Sequence, residues 1–276
     1  WSKLTVNPPA SSSTVISLLG IPFDENSSYL RGTAHAPAQI VEALHCDSSN
    51  LWTENGTDLE GKIHDTGSLQ LPSGTPAAFA AIERGVAEQL RRDARLIVLG
   101  GDHSITYPVM RAFAAKFPDL EIMHFDAHPD LYNELGGNRF SHACPFARVM
   151  EEKLACRMVQ AGIRTMNGHQ KEQARRFGVE VLEMKDLGRW PRLEFDGPVY
   201  ISFDMDVLDP AFAPGVSHWE PGGMSVREVI SALQSLRGRI VGADLVEYNP
   251  GRDASGRTAM VCAKVLKEIA ARMLEG

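Results

Sequence analysis

Short apolar runs alternate with longer amphipathic stretches along most of the chain. Seven runs rich in apolar and β-branched residues predict strands, over residues 15–22, 96–99, 120–125, 158–163, 179–182, 199–203 and 240–246. Five segments with apolar residues three or four positions apart predict helices, over residues 37–44, 77–92, 105–116, 226–236 and 258–274. This alternation predicts a mainly parallel sheet covered by helices on both faces, a three-layer α/β/α fold. The pattern contains no boundary, so we expect one domain over residues 1–276.

The composition narrows the class of protein. The 276 residues are 43% hydrophobic, but no apolar run approaches the roughly 20 residues that cross a bilayer. Twenty-eight basic and 35 acidic residues give a net charge of −7, without a basic run that would follow a phosphate backbone. We therefore expect neither a membrane nor a nucleic acid as a partner.

The cysteines indicate the compartment. The four cysteines are scattered, without the CxxC spacing of a structural zinc site or the density of a disulfide framework. We therefore expect free thiols and a cytoplasmic protein, or an organellar one if a targeting segment precedes Trp1.

Ionisable residues are concentrated just after the predicted strands. The strand over residues 120–125 runs into Asp126, His128 and Asp130, which are two positions apart and project to one side of an extended chain. The strand over residues 199–203 runs into Asp204 and Asp206 with the same spacing. In open α/β sheets, ligands bind outside the carboxyl ends of the strands. We therefore expect these two groups to meet.

His103 follows a third predicted strand and completes the cluster. The preceding pair Gly100-Gly101 permits a tight turn that brings His103 to the same edge. Four carboxylates and two imidazoles are harder ligands than the thiolates of structural zinc, and they suit Mn²⁺ or a similar divalent cation. Six ligands exceed what one catalytic metal takes from a protein, so the pattern predicts two cations about 3.5–4 Å apart, bridged by shared aspartates.

Other interpretations fit parts of the pattern. A single D-x-D motif often arises by chance, and His124, inside its strand, is expected to be a core histidine rather than a further ligand. Cys144 lies two residues from His142, as a cysteine hydrolase would require, but that mechanism leaves the six ligand-type residues without a role. A dinucleotide-dependent oxidoreductase would need a G-x-G-x-x-G fingerprint, which is missing. A non-catalytic interaction protein with structural metal remains open.

Several motifs carry a resemblance to a known family. The most specific ones are GGDHS at 100–104, FDAHPD at 125–130 and SFDMDVLDP at 202–210. They resemble the ureohydrolases, which include the arginases, the agmatinases and related hydrolases of guanidino compounds. Three further stretches are most similar to plant-type arginases: GGNRFSHACPFARVM at 136–150, GVSHWEPGGMS at 215–225 and GADLVEYNPGRD at 242–253. The resemblance covers nearly the whole chain and implies an arginase-like fold.

The resemblance also implies the metal ions and the role of each site residue. It implies two Mn²⁺ ions, although Co²⁺, Ni²⁺ or Zn²⁺ suits similar ligands. One ion would lie between His103, Asp126, Asp130 and Asp204, and the other between Asp126, His128, Asp204 and Asp206. Asp130 would accept a hydrogen bond from the hydroxide between the ions, His142 would move protons, and Glu247 would pair with the guanidinium.

The implied reaction releases urea and an amine from a small cationic guanidino compound. The stretch at 215–225 favours L-arginine, which would yield L-ornithine, while agmatine (yielding putrescine) and 4-guanidinobutyrate are the alternatives. Tyr132 occurs both in agmatinases and in plant-type arginases, so it does not decide between them. We expect Asn138, Ser141, His218 and Glu220 to contact the distal end of the substrate. The resemblance further implies a homotrimer or homohexamer.

Overall fold

The computed structural model describes residues 15–92 and 95–275. Its strands, numbered in chain order, are β1 (Ile16–Gly20), β2 (Ile63–Ser68), β3 (Arg95–Leu99), β4 (Glu121–Phe125), β5 (Arg157–Ile163), β6 (Glu180–Glu183), β7 (Glu194–Asp204) and β8 (Arg237–Val246). They form one sheet in the order β2-β1-β3-β8-β7-β4-β5-β6. Every pairing between these strands is parallel.

The helices lie on both faces of the sheet. They are α1 (Ala36–Leu44), α2 (Thr75–Arg91), α3 (Thr106–Lys116), α4 (Pro145–Glu151), α5 (Gly168–Phe177), α6 (Val226–Ser235) and α7 (Arg257–Glu275). Buried side chains of α1, α6 and α7 share one hydrophobic core, and those of α2 to α5 share the other. The predicted three-layer α/β/α fold is therefore confirmed.

The central strands contribute alternate side chains to the two cores. In β3, Ile97 and Leu99 enter the core beneath α1 and α7, while Leu96 and Val98 enter the core beneath α2 and α3. Successive side chains of a strand point to opposite faces of the sheet. Because β3 is buried on both faces, its apolar residues form a continuous run. The parallel sheet then places all carboxyl ends at one edge, where the loops that carry the ionisable residues begin.

All seven predicted strands and all five predicted helices are present, with ends displaced by a few residues. Three elements were not predicted, namely β2, α4 and α5. Within residues 15–92 and 95–275, no helix is long and apolar enough to cross a bilayer.

Candidate active site

Four neighbouring strands end beside the same group of polar side chains. The order β3-β8-β7-β4 occupies the middle of the sheet. His103 follows β3, Glu247 follows β8, Asp204 ends β7, and Asp126 follows β4. All four side chains are buried. Residues separated by more than 140 positions in the chain therefore meet because their strands are adjacent.

The imidazole of His103 faces three carboxylates. Its Nδ1 lies 3.2 Å from Asp126 Oδ2, 3.1 Å from Asp130 Oδ2 and 3.1 Å from Asp204 Oδ2. The His103 side chain has no exposed surface. One imidazole nitrogen and three carboxylate oxygens thus converge on a single point inside the protein.

Hydrogen bonds on the far side of His103 determine its tautomer. Ser202 Oγ donates to Asp244 Oδ1 at 2.8 Å, so it accepts the N–H of His103 Nε2 at 3.0 Å. Nδ1 is buried and has no hydrogen-bond partner among the described residues. In a typical metal-binding histidine, one ring N–H donates a hydrogen bond and the other ring nitrogen faces the metal. His103 has this arrangement, with its free nitrogen directed at carboxylates. These residues therefore fit a divalent cation.

A second group of ligand atoms surrounds His128. Its Nδ1 lies 3.0 Å from Asp206 Oδ2 and 3.4 Å from Asp126 Oδ1. Asp126 thus presents one oxygen to each histidine, so its carboxylate spans both groups. Backbone N–H groups orient the carboxylates, since that of His128 donates to Asp126 Oδ1 at 2.6 Å and that of Asp206 to Asp204 Oδ1 at 2.8 Å. The six residues predicted as ligands come together in the folded chain.

The carboxylates of Asp204 and Asp206 are costly to ionise in this cluster. Burial raises the pKa of Asp204 well above its ordinary range, and the charge of Asp206 adds to this effect. Burial also raises the pKa of Asp206 itself. Burial lowers the pKa of His103 and His128, but the neighbouring aspartates outweigh it and raise both pKa values well above 6.5. A divalent cation would stabilise the ionised carboxylates and displace the imidazole protons.

The backbone is strained at two of these positions. Asp130 and Glu247 have φ values of 49° and 64°, in the left-handed region. That conformation costs a non-glycine residue about 1–2 kcal/mol and is concentrated at functional sites. The Glu247 N–H donates to the carbonyl oxygen of Gly101 at 2.9 Å, which holds the two loops together.

Gly101 is required because another backbone segment passes close to it. A Cβ atom at this position would lie 1.8 Å from the carbonyl oxygen of Phe23. The sequence predicts that Gly100-Gly101 permits a tight turn. The reason for glycine at position 101 is steric, since Gly101 is not among the described glycines with positive φ. The absence of a side chain lets the loop after β1 pack directly against the site.

His142 lies between a carboxylate and a hydroxyl group. Its Nδ1 donates to Glu247 Oε1 at 2.7 Å, and its Nε2 lies 2.8 Å from Ser28 Oγ. Burial lowers the pKa of His142, but Glu247 outweighs this effect and raises it to about 9. Burial raises the pKa of Glu247, but His142 lowers it below 4.5. The two side chains therefore form a buried imidazolium–carboxylate pair.

A cavity of about 170 Å³ adjoins the site. His128, His142 and Glu247 line it, together with Tyr132 and Ser28. Ser28 was not predicted from the sequence. It belongs to the loop that follows β1, and the rule that ligands gather at the carboxyl ends of strands would have indicated that loop.

The residues expected at the distal end of the substrate occupy different places. His218 lines the cavity, and Glu220 Oε1 lies 3.9 Å from His128 Nε2. Asn138 and Ser141 line a neighbouring depression instead. The structure therefore brings His218 and Glu220 beside the ligand cluster and leaves the other two at its periphery.

The surroundings of Cys144 argue against a thiol nucleophile. Burial raises the pKa of Cys144 to about 12, and the charge of Asp130 adds to this effect. A catalytic cysteine needs a thiolate near neutral pH, which requires a lowered pKa. The environment of Cys144 is that of a structural thiol.

Comparisons with known proteins identify the family of this chain. The model of the Arginase family matches residues 14–271. Arginase 1, mitochondrial, from Arabidopsis thaliana is 46% identical over 275 residues, covering 93% of this chain and 80% of that protein. The solved structure of arginase from Medicago truncatula has a TM-score of 0.91 and 44% identity, covering 95% of this chain and 88% of that one. An agmatinase from Bacillus cereus is 32% identical over 272 residues, covering 95% of this chain and 92% of that protein. The family predicted from the sequence is confirmed, and the chain belongs to the arginase family.

Proposed function

We propose that this protein hydrolyses L-arginine to L-ornithine and urea with a pair of Mn²⁺ ions. The observation that carries the proposal is the convergence of six ligand side chains from three strand ends. Membership of the arginase family and 46% identity to a plant arginase support the same reaction.

Two sets of residues would hold the ions. His103, Asp126, Asp130 and Asp204 form the first set, and Asp126, His128, Asp204 and Asp206 form the second. Asp126 presents one carboxylate oxygen to His103 and the other to His128, which supports two ions. When bound, the cations would supply Lewis acidity that lowers the pKa of water towards neutral pH.

His142 would protonate the leaving amine. The amine of the substrate must gain a proton before its C–N bond breaks, and a protonated imidazole within the cavity can donate one. With a pKa raised to about 9, His142 carries that proton at neutral pH. Its Nε2 lies 2.8 Å from the hydroxyl of Ser28, an exposed residue, and this contact would connect the imidazole to solvent for reprotonation.

Glu247 would orient the guanidinium. Both hydrogen bonds that it accepts within the described residues end on Oε1, from His142 Nδ1 at 2.7 Å and the backbone N–H of His103 at 2.9 Å. Oε2 is therefore the oxygen left for the substrate. A charge-assisted contact there would hold the guanidinium carbon in position for attack.

His218 and Glu220 are the residues best placed to contact the amino-acid end of arginine. Burial and the nearby charge of His142 lower the pKa of His218, which favours a neutral imidazole beside a cationic substrate. Asn138 and Ser141 remain predicted contacts from the neighbouring depression. The homotrimer or homohexamer and the cytoplasmic location also remain predictions from the sequence.

The test is urea release from three substrates after loading with Mn²⁺. We expect arginine to give a higher kcat/KM than agmatine or 4-guanidinobutyrate. A strong preference for agmatine would replace the proposed substrate while retaining the reaction. A protein that binds Mn²⁺ but releases no urea from any of the three would refute the enzymatic function.

A further inference from the structure

A buried glutamine lies directly behind the proposed metal ligands. Gln160 of β5 pairs in register with His124 of β4, and both side chains have no exposed surface. The amide nitrogen of Gln160 lies 2.7 Å from the carbonyl oxygen of Pro129 and 3.1 Å from His124 Nδ1. One amide group therefore contacts both the strand before Asp126 and the loop before Asp130.

The contact with Pro129 determines which way the Gln160 amide points. A backbone carbonyl oxygen only accepts hydrogen bonds, so the atom 2.7 Å away must be the NH₂ group. The reverse orientation would bring two acceptors together. The same NH₂ group then faces His124 Nδ1, which must accept its second proton.

The orientation of the amide fixes the tautomer of His124. Since Nδ1 accepts, the ring carries its N–H on Nε2, which donates to Asp126 Oδ2 at 2.8 Å. Both ring nitrogens of His124 then take part in hydrogen bonds. They do so even though His124, His103 and Asp126 each offer a possible metal-ligand atom, and these atoms lie within 4.8 Å of one another. Phe146 packs against the imidazole with ring centroids 4.1 Å apart, which restricts rotation of the ring.

We propose that Gln160 is a positioning residue for the metal site, acting through His124 on Asp126 and through Pro129 on Asp130. The His124 N–H holds the oxygen of Asp126 that faces His103. The Gln160 amide also holds the carbonyl group of Pro129, the residue before Asp130. Asp130 has a left-handed backbone conformation, with φ 49°. Partners of this kind around a metal site typically change metal affinity 10–100-fold when removed. The proposal rests on the metal site of the proposed function.

Two substitutions at Gln160 separate its contributions. Gln160→Leu removes both hydrogen bonds with little change of volume. Gln160→Glu replaces the donor beside His124 Nδ1 by a carboxylate, so Nδ1 should gain a proton, while Nε2 keeps the proton that it donates to Asp126. Gln173→Leu is the matched control, because Gln173 is also buried but its amide nitrogen has no hydrogen-bond partner among the described residues.

The first measurement is the His124 tautomer, read from ¹H–¹⁵N NMR of the imidazoles in metal-free wild type. The His124 signal is assigned by its loss in His124→Asn. We expect a proton on Nε2 alone in wild type, and a proton on Nδ1 as well in Gln160→Glu. A wild-type proton on Nδ1 would overturn the proposal. This result needs neither a folded Gln160 variant nor arginase activity, because it is read from wild-type protein.

The second measurement is Mn²⁺ affinity by competition with a chromophoric chelator. We expect Gln160→Leu to bind about 10–100-fold more weakly than wild type and Gln173→Leu to bind within twofold of wild type. Equal affinities for Gln160→Leu and Gln173→Leu would refute the positioning role. A wild type that binds no Mn²⁺ would instead refute the metal site itself.

Discussion

The pairing of His142 with Glu247 gives a quantitative prediction for Glu247→Gln. Glu247 is the largest influence that raises the pKa of His142 from 6.5 to about 9. That difference corresponds to about 3 kcal/mol, at about 1.4 kcal/mol per pH unit. Glutamine keeps the shape of the side chain and removes its charge. Burial then opposes only the weaker influence of Asp102 and Asp130, so we expect the pKa of His142 to fall well below 9.

The sign of the stability effect follows from the same pKa. A histidine whose folded pKa is raised stabilises the fold fully below its unfolded pKa near 6.5, and this contribution is lost as the pH rises through about 9. The free energy of unfolding of metal-free wild type should therefore fall more steeply over this range than that of Glu247→Gln. The contribution from His142 is about 3 kcal/mol at most.

The assay is NMR titration of His142 in protein stripped of divalent cations with a chelator, paired with urea denaturation at pH 6 and pH 9. Glu220→Gln is the matched control, because its carboxylate lies beside His128 rather than His142. A wild-type pKa near 6.5, or an unchanged pKa in Glu247→Gln, would show that the imidazolium–carboxylate pair does not form.

Three further predictions concern other parts of the site. Ser202→Ala removes the acceptor of the His103 N–H, and should weaken Mn²⁺ binding about 10–100-fold in the chelator competition assay. Gly101→Ala should lower the free energy of unfolding by about 3 kcal/mol in urea denaturation, because its Cβ would lie 1.8 Å from a backbone oxygen. Gly168→Ala, which has open space around its Cβ, should change the free energy of unfolding little in the same assay. Cys144→Ala should keep kcat for urea release within a few-fold of wild type, and a complete loss in a folded variant would restore the thiol mechanism.

The predicted elements have strong hydrophobic periodicity, whereas the missed elements either lack it or are short. Strand β2 lies at an edge of the sheet and contains no buried residue, so it shows no apolar alternation. Helix α5 buries Gln170, Gln173 and Ala174, which do not form an apolar stripe. Helix α4 has only seven residues. Their positions depend on tertiary contacts that local pattern does not record.

The ligand cluster was predictable because parallel strands bring their carboxyl ends together. Asp126 follows β4 and Asp204 ends β7, and these strands are adjacent in the sheet, so alternation and topology together predict that the two residues meet. The contact between Ser28 and His142 spans 114 positions and joins two loops, for which sequence periodicity gives no signal. The roles of Ser202 and Gln160 depend on hydrogen-bond direction, which becomes visible only when the partners are located.

Metal stoichiometry tests the central claim most directly. Wild-type protein is stripped with chelator, dialysed against Mn²⁺ and analysed for bound metal per chain, with EPR to detect magnetic coupling between ions. The site described here predicts two Mn²⁺ per chain with the spectrum of a coupled pair, and fewer than two in His128→Ala, which removes a ligand of one set only. A single uncoupled ion in wild type, or no bound Mn²⁺, would contradict a two-metal site.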